Sequence, residues 1–328
     1  MNPSELLQLS GGYWAACTLH AAVKLDLFTN LSKNPASADE ISELNSSDLR
    51  GMTMLLDALT AIGLLVKNGN LYDVTPFSKK HLSKHSEGYL GHIIMHHHNL
   101  MPSWARLDES VQSGKPVRCN SSRTDDETSR ENFLMGMFNL ASLAAPMVVP
   151  ALDLGGRRKL LDLGGGPGTY AIHFCQHNPD LRAVIYDLPT TRRFAEATIL
   201  RFGLTNRISF SAGDILIDDI GNGYDVAWIS QLLHSEGPQE AGIILEKAVR
   251  ALLPGGLVIV QEFILDDDRT SPPFPALFSL NMLVGTSQGQ SYSQGELTDM
   301  MARAGIRNIA RHPLVLPNGA SIMTGNVA

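Results

Sequence analysis

Up to about Ser86, the apolar positions of the chain recur at the spacing of helices. Within residues 49–66, one apolar face is formed by Met52, Leu55, Leu56, Leu59 and Leu64. A turn-forming sequence at residues 67–70 and an extended run at residues 71–74 follow, and together they predict a hairpin. Helices followed by a short hairpin are typical of a winged helix. We therefore expect a helical, winged-helix domain over residues 1–86.

Residues 88–153 are again helical in pattern, with a polar loop around residues 119–126. After Arg157 strands and helices alternate. Strands are predicted at residues 159–164, 182–188, 207–214, 224–230 and 257–263, and helices at residues 169–177, 192–202, 239–253 and 293–304. Two more strand-like runs flank Asn318-Gly319, a sequence that favours a tight hairpin turn. This alternation predicts an α/β fold: a parallel sheet with helices on both faces, closed by an antiparallel hairpin.

The composition is that of an ordinary globular protein. The 328 residues are 44% hydrophobic and 18% charged, and this length suffices for about two domains. A net charge of -7 gives no electrostatic reason to expect a nucleic-acid partner. The three cysteines form no CxxC pair, and neither a signal-peptide pattern nor an apolar run of about 18 residues is present. We expect a soluble, cytoplasmic protein with no nucleic-acid or membrane partner.

A glycine-rich loop follows the first strand of the α/β half. Its sequence, Leu-Asp-Leu-Gly-Gly-Gly-Pro-Gly-Thr, spans residues 161–169. Glycines directly after a strand let the backbone turn tightly and approach a ligand that a Cβ would exclude. The second strand ends in Asp187, whose carboxylate can accept hydrogen bonds from both ribose hydroxyls of a nucleoside cofactor. The third strand ends in Gly213-Asp214, where a side chain can meet an adenine amino group.

The same loop also fits the dinucleotide pattern GxGxxA through Gly166, Gly168 and Ala171, so a dehydrogenase is an alternative. Three observations favour a methyltransferase that uses S-adenosylmethionine. Asp162 lies two positions before the first glycine and helps to hold a positively charged sulfonium rather than a pyrophosphate. Pro167 interrupts the loop where a dinucleotide needs backbone N–H groups. The third strand, finally, ends in Gly-Asp.

At these residues the chain resembles the class I S-adenosylmethionine-dependent O-methyltransferases of the caffeate and acetylserotonin type, which include many bacterial members. The segments LLDLGGGPGTYAIHF, YDLP and AGDI resemble the three cofactor motifs of that family, in the same order. ISQLLHS, LLPGGLVIVQEFIL and a helix followed by Ala304-Gly305-Ile306 continue with the spacing of the family. The resemblance covers nearly the whole chain. It implies a Rossmann-like seven-stranded sheet preceded by a winged-helix dimerisation domain, and hence a homodimer.

On this resemblance the chain divides into a dimerisation domain at residues 1–86 and a methyltransferase domain at residues 87–328. The second domain comprises a helical, substrate-lining linker at residues 87–155 and the Rossmann-like core at residues 156–328.

The resemblance also implies roles for individual residues. The cofactor, S-adenosylmethionine, would be bound by Asp162, Gly164, Gly166, Asp187, Leu188, Asp214, Ile215 and Ser230. His234 falls at the position of the general base of the family, and Glu262 matches a carboxylate that orients it. A phenol has a pKa of about 10, so a histidine with a pKa of about 6.5 within hydrogen-bond reach can take its proton as attack develops. A small aromatic or heteroaromatic acceptor would be lined by His97, Met101, Trp104, Met135, Phe138, Asn139, Asn281 and Met282.

Two departures from the family pattern bear on the acceptor. The chain has His-Ser-Glu at residues 234–236 where the family commonly has His-Asp-Trp. It has Gln-Ser-Tyr-Ser at residues 290–293 where many members carry a second glutamate. Either Glu262 alone orients His234, or the acceptor is acidic enough to need less help, or the acceptor atom is not oxygen. Transfer to a hydroxyl is the primary hypothesis, and N- or C-methylation on the same fold is its alternative.

Two other interpretations concern the amino-terminal half. His92 and His96, which precede His97 and His98, have the i, i+4 spacing that can hold a metal, but no HExxH pattern or nearby cysteine supports a site, and we expect no metal. The winged helix also raises the alternative of a cofactor-binding regulator of DNA without turnover. The helix that would enter DNA carries Arg50 as its only cation, beside two acids. We therefore expect its apolar faces to pack a dimer.

Overall fold

A computed structural model of the chain describes residues 1–118, 126–316 and 319–328. The chain forms two compact units. One comprises residues 1–101 and 131–139, and the other comprises residues 102–130 and 140–328. The domain boundary after residue 86 and the linker at residues 87–155 stay predictions. Most of the polar loop expected around residues 119–126 lies outside the described residues.

The first unit opens with short helices around a small antiparallel sheet. In chain order its elements are α1 (Pro3–Gly11), α2 (Tyr13–Lys24), α3 (Leu27–Leu31), β1 (Ala36–Ser37), α4 (Ala38–Leu44), α5 (Leu49–Ala61), β2 (Leu65–Asn68), β3 (Leu71–Val74) and α6 (Pro76–Leu82). The strands pair in the order β1-β3-β2. Asn68 is opposite Leu71 across a two-residue turn, so the predicted hairpin is confirmed. The helix before it ends earlier than the apolar pattern suggested, at Ala61, because Gly63 takes a φ of 78° and starts the turn into β2.

Two longer helices contribute residues to both units: α7 (Gly91–Trp104) and, after α8 (Leu107–Ser113), α9 (Glu127–Ala151). Among the described residues, α9 alone is long and apolar enough to cross a membrane by length and composition. Buried core helices pass the same test. Its last turns contribute Ala144, Ala145, Val148 and Val149 to the core of the second unit, so packing accounts for part of this apolar character.

The second unit is built on one seven-stranded sheet. Its further elements are β4 (Lys159–Leu163), α10 (Thr169–His177), β5 (Arg182–Asp187), α11 (Arg192–Arg201), β6 (Ile208–Ala212), β7 (Tyr224–Ser230), α12 (Pro238–Ala251), β8 (Leu252–Glu262), α13 (Pro273–Gly285), α14 (Gln294–Arg303), β9 (Ile306–Arg311) and β10 (Ser321–Val327). The strand order is β6-β5-β4-β7-β8-β10-β9. Strands β4 to β8 are parallel, whereas β10 is antiparallel to β8 and to β9. The predicted parallel sheet with an antiparallel closure is therefore confirmed.

The core of this unit lies on both faces of the sheet. Because side chains alternate along a strand, Leu160 joins one buried cluster and Leu161 joins the other. Trp228 of β7 is fully buried on the first face, with its ring centroid 4.7 Å from that of Tyr170 and 5.1 Å from that of Phe174. Large side chains on both faces therefore hold the central strands, and with them the loops at their carboxyl ends, in fixed positions.

Two boundaries differ from those expected. Strand β8 was expected to begin at residue 257, but it begins at Leu252, which pairs with Tyr224. The register of the β7–β8 pairing shifts after this pair, and the shift accommodates the Pro-Gly-Gly sequence at residues 254–256. At the carboxyl terminus, β9 ends at Arg311 and β10 begins at Ser321, so the two strands do not directly flank Asn318-Gly319 as a tight turn there would require. Asn318 itself lies outside the described residues.

A matched pair of substitutions on α11 tests this packing. Ile199 is 3% exposed within the first cluster, and its neighbour Leu200 is 69% exposed. We expect Ile199→Ala to lower the free energy of unfolding by about 2–5 kcal/mol, since it leaves a cavity. Leu200→Ala should change it by less than about 0.5 kcal/mol. Urea denaturation measures both, and equal effects would contradict the core assignment.

Candidate active site

The strand order reverses between β4 and β7, and the site residues follow the strands that meet there. In α/β sheets of this kind, ligands bind outside the carboxyl ends of the strands at such a reversal. The glycine loop follows β4, and Asp187 ends β5. His234 lies in a 3₁₀ turn, Leu233–Ser235, shortly after β7, and Glu262 ends β8. Parallel pairing therefore brings four distant stretches of sequence to one edge of the sheet.

The glycine loop has a backbone that other residues would not adopt. Gly164, Gly166 and Gly168 have φ values of 64°, 54° and 79°. A Cβ on Gly168 would lie 2.3 Å from Cδ1 of Ile185, and one on Gly164 would lie 2.9 Å from Cδ1 of Leu232. The loop therefore lies tightly between the ends of neighbouring strands, and only glycine fits these positions.

Several N–H groups of this loop are already bonded within the protein. Gly166 N donates to Oδ2 of Asp187 at 2.8 Å, and Gly168 N donates to the carbonyl of Gly165 at 2.8 Å. Pro167 has no N–H to offer. A pyrophosphate needs such donors, because backbone N–H groups and a helix N-terminus are what hold it in dinucleotide-binding folds. The loop suits a nucleoside without phosphates.

Two buried carboxylates flank the loop. Asp162 is 2% exposed, and its Oδ2 accepts from the N–H of Ala171 at 3.3 Å. Burial, together with the nearby charge of Asp187, raises the pKa of Asp162 to about 7. Burial also raises the pKa of Asp187, although hydrogen bonds from Gly166, Leu188 and Thr191 oppose that shift. A pair of acids in this position favours a cation in the same loop.

The other predicted cofactor residues lie at the ends of neighbouring strands. Leu188 N donates to Oδ1 of Asp187 at 2.6 Å. After β6, Asp214 accepts from the N–H of Leu216 at 3.0 Å, and Ile215 packs against the second core cluster. Ser230 donates to Oε1 of Gln261 at 3.2 Å. The structure therefore places the predicted cofactor set along one edge of the sheet, in the order of the strands.

His234 and Glu262 form a buried pair. Nδ1 of His234 lies 2.7 Å from Oε2 of Glu262, and the backbone N–H of His234 donates to Oε1 of the same carboxylate at 3.3 Å. Glu262 is 2% exposed and His234 is 9% exposed. A carboxylate can only accept, so Nδ1 carries the proton and Nε2 presents a lone pair. The ring of His234 lies edge-on to that of Phe278 at 4.8 Å and roughly parallel to that of Phe263 at 6.2 Å.

The segment in which many family members carry a second glutamate holds the histidine through its backbone. Gln290 N donates to the carbonyl of His234 at 2.9 Å, and its Oε1 accepts from Arg269 at 2.9 Å. Ser291 is fully buried and donates to the carbonyl of Pro275 at 2.9 Å. Within the described part of the chain, Glu262 is the carboxylate that meets the imidazole of His234.

Of the predicted acceptor-lining residues, three fall in the second unit. Trp104 Nε1 donates to Oδ1 of Asn281 at 3.2 Å, and Met282 is 7% exposed. Asn281 and Met282 follow Phe278 by three and four positions on α13, so they share the helix face that meets His234. Sequence reasoning missed Arg118, whose Nη2 donates to Oδ1 of Asn281 at 3.1 Å, because a lone arginine before a polar loop carries no motif.

The remaining predicted residues fall in the first unit. Asn139 Nδ2 donates to the carbonyl of Tyr89 at 2.8 Å, Phe138 is buried and His97 is exposed. Met101 and Met135 are half-buried. A contact within this unit accounts for the Asn139 donor, and the acceptor role of all five residues stays a prediction.

The histidines of α7 do not converge on one point. His92 contacts Oδ1 of Asn132 through Nδ1 at 3.3 Å, His96 packs on Phe133 and His98 packs on His20. Among the residues that the structure describes, no group of three or more His, Cys, Asp or Glu side chains could hold a metal ion.

The strand order reverses at the site, the N–H groups of Gly164, Gly166 and Gly168 are bonded within the protein, and a histidine–carboxylate pair is buried at the same edge. Together these features indicate a methyltransferase that binds a nucleoside cofactor. Comparison with known proteins agrees. Residues 104–307 match the O-methyltransferase domain, and residues 7–84 match the O-methyltransferase dimerisation domain. The chain belongs to this O-methyltransferase family.

Individual relatives match over nearly their whole length. The 3-hydroxy-5-methyl-1-naphthoate 3-O-methyltransferase of Streptomyces sahachiroi is 32% identical over 98% of this chain and 95% of its own. The acetylserotonin O-methyltransferase of Gallus gallus is 29% identical over 94% and 93%. The structure described as PigF with SAH has a TM-score of 0.89 at 26% identity and covers 99% of this chain and 100% of that chain.

The protein is therefore an S-adenosylmethionine-dependent O-methyltransferase, and the dehydrogenase alternative is wrong. The loop fits this cofactor on its own geometry, since it has no room for side chains at Gly164 and Gly168, bonds the N–H groups of Gly166 and Gly168 within the protein and lies beside two acids.

The pKa of Asp162 is raised to about 7, and we expect cofactor binding to depend on pH for this reason. As pH falls through about 7, Asp162 takes up a proton and loses the charge that attracts a cationic ligand. We expect the Kd for S-adenosylmethionine to be about tenfold higher near pH 6 than near pH 8. Calorimetric titration at the two pH values measures this change.

Asp162→Asn should bind more weakly and remove most of the pH dependence, whereas the exposed Asp180→Asn should leave both unchanged. A Kd of the wild type that is constant over this range would contradict the assignment.

Proposed function

We propose that the enzyme transfers the methyl group of S-adenosylmethionine to a hydroxyl of a small aromatic acceptor, with His234 as general base and Glu262 as its positioning residue. The observation that carries this proposal is the 2.7 Å contact between Nδ1 of His234 and Oε2 of Glu262 at the carboxyl ends of β7 and β8. The pair is buried and lies on the edge of the sheet that also carries the glycine loop.

Glu262 fixes both the tautomer and the direction of the imidazole. One carboxylate oxygen accepts from Nδ1 of His234, and the other accepts from its backbone N–H. The backbone N–H of Phe263 also reaches Oε2, at 3.3 Å. Because Nδ1 keeps its proton, Nε2 is left to take the proton of the acceptor hydroxyl as the oxygen attacks. An ordered base of this kind contributes by orientation as well as by proton transfer.

When bound, S-adenosylmethionine supplies a methyl group already activated by a sulfonium. The protein then has to hold the two reactants in line and remove a proton. We propose that Asp187 binds the ribose, that Asp214 and Ile215 flank the adenine, and that Asp162 compensates the positive charge. Gly164 and Gly166 give close backbone approach, and Leu188 and Ser230 complete the predicted cofactor set.

The surroundings of His234 favour a flat, aromatic acceptor. Phe263 and Phe278 present rings to the imidazole, and these two rings lie 4.5 Å apart. Aromatic pairs of this geometry favour another ring over an open chain. Further along the same face of α13, Asn281 and Met282 extend this surface. Two relatives are named as O-methyltransferases of 3-hydroxy-5-methyl-1-naphthoate and of acetylserotonin, and both of these compounds are aromatic, which supports the class.

We further propose that the functional species is a homodimer. The chain carries an O-methyltransferase dimerisation domain, and the first unit exposes large apolar side chains on its first two helices. Leu7 is 72% exposed and Trp14 is 69% exposed.

The cytoplasm is the compartment we infer. Cys17 and Cys175 are free thiols in the described part of the chain, and free thiols are typical of proteins kept in a reducing compartment.

Replacing the base tests the mechanism. We expect His234→Ala to lower kcat/KM for a phenolic acceptor by about 10²–10⁴-fold, because the proton acceptor is lost. Glu262→Gln should lower it less, because the base remains but loses the carboxylate that positions it. Methyl transfer assays and the Kd of S-adenosylhomocysteine separate loss of chemistry from loss of cofactor binding.

The exposed His177→Ala, at the end of α10, is the matched control and should behave as the wild type. Turnover by His234→Ala equal to that of the wild type at neutral pH would remove this residue from the mechanism.

The dimer has its own test. Light scattering after gel filtration should give twice the 35.6 kDa of one chain. Replacing Leu7 and Trp14 by serine should shift the species towards the monomer, since exposed apolar area at an interface drives association. A wild-type mass of one chain at micromolar concentration would contradict the proposal.

A further inference from the structure

Gln231 has a backbone conformation that its side chain does not favour. It is the first residue after β7, and its φ is 55° although it is not a glycine. Its N–H donates to the carbonyl of Gln261 at 2.9 Å, so the conformation is held from the side of β8. A long side chain in the left-handed region is uncommon, and such outliers cluster where a site requires them.

The side chain of Gln231 ends in an unsatisfied donor. Its Nε2 is buried, and within the described residues it has no hydrogen-bond partner. Nearly all buried donors in folded proteins are paired, so an exception calls for an explanation. Packing alone does not provide one, because an apolar side chain of the same length would fill the space without leaving a donor unpaired.

The location of this donor points to a ligand. The next residue, Leu232, lies against the glycine loop, with Cδ1 2.9 Å from where a Cβ of Gly164 would be. Three residues after Gln231 comes His234, so their Cα atoms are at most about 10 Å apart. The donor therefore belongs to the short segment, residues 231–234, that contacts the glycine loop through Leu232 and carries His234.

We propose that Gln231 recognises a carbonyl oxygen of the acceptor, so that the acceptor class is a hydroxyarene that also carries a ketone or a carboxylate. This inference rests on the proposed function. A carboxamide N–H is a neutral donor and binds either oxygen. The backbone N–H of Gln231 is hydrogen-bonded to Gln261 of β8, next to Glu262, which contacts His234. Gln231 therefore lies near the base. The acceptor, rather than the cofactor, is therefore the partner of the donor.

Recognition of this kind makes the enzyme discriminate against acceptors without the carbonyl. A site that buries a donor rejects an analogue that cannot pair with it, because the donor then stays unsatisfied. We expect an acceptor with the carbonyl to have a kcat/KM about tenfold or more above that of its methyl analogue.

The experiment uses matched acceptors and matched variants. Each acceptor set keeps one ring hydroxyl, on a benzene or a naphthalene, and carries a methyl ketone, a carboxylate or a methyl group at the same second position. The wild type is compared with Gln231→Met, which keeps the length of the side chain and removes the donor. Gln239→Met, on the exposed start of α12, is the control. Calorimetry with S-adenosylhomocysteine and the thermal midpoint report cofactor binding and folding.

The expected result is a carbonyl-to-methyl ratio of kcat/KM of about ten or more in the wild type and in Gln239→Met, falling to about two or less in Gln231→Met. The Kd of S-adenosylhomocysteine should not change. The ketone and carboxylate members of each set show which carbonyl is preferred.

Three results would overturn the inference. An equal ratio in the wild type and in Gln231→Met would show that Gln231 does not read the acceptor. Weaker binding of S-adenosylhomocysteine by Gln231→Met, with an unchanged ratio, would assign the donor to the cofactor. A wild type that binds S-adenosylhomocysteine but methylates no phenol in the sets would contradict the proposed aromatic hydroxyl acceptor, and this inference with it.

Discussion

The parallel pairing of β4 with β7 and of β7 with β8 is the constraint on which the site depends. It brings the glycine loop, the segment that holds His234 and the carboxylate of Glu262 to one edge of the sheet, although more than 90 residues separate the first from the last. The pairing is held by the fully buried Trp228 on one face and by Ala227 and Ile229 on the other. A strand shifted by one residue would exchange these faces and separate His234 from Glu262.

Burial explains the electrostatic character of the site. Asp162 and Glu262 are both 2% exposed, yet each serves a different purpose because its neighbours differ. Glu262 accepts from an imidazole and from backbone N–H groups, and these fix its position. Asp162 has one backbone donor and a second acid nearby, so its pKa rises to about 7 and its charge is best stabilised by a cationic ligand. One edge of the sheet therefore holds a carboxylate fixed by an imidazole and another whose charge a cationic ligand would stabilise.

Much of this could be predicted from the sequence. The strands, the glycine loop and the order of the motifs follow local patterns. The helix predicted at residues 293–304 is α14, which begins at a capping box formed by Ser293 and Glu296. The start of β8 could not be predicted, because the pairing of Leu252 with Tyr224 overrides local preference there. The spacing of residues in the sequence could not predict the hydrogen bonds of Arg118 to Asn281 or the left-handed backbone conformation of Gln231. The sequence also could not predict that α7 and α9 each contribute residues to two units, because the pattern of each predicts one continuous helix.

The atom that receives the methyl group tests the account most directly. The purified enzyme is incubated with S-adenosylmethionine labelled at the methyl carbon and with a phenolic acceptor, and the product is examined by NMR. The account predicts that the label appears as an aryl methyl ether, since a base beside the acceptor serves to remove a hydroxyl proton. A label bonded to ring carbon or to nitrogen would contradict it and would leave His234 with a binding role.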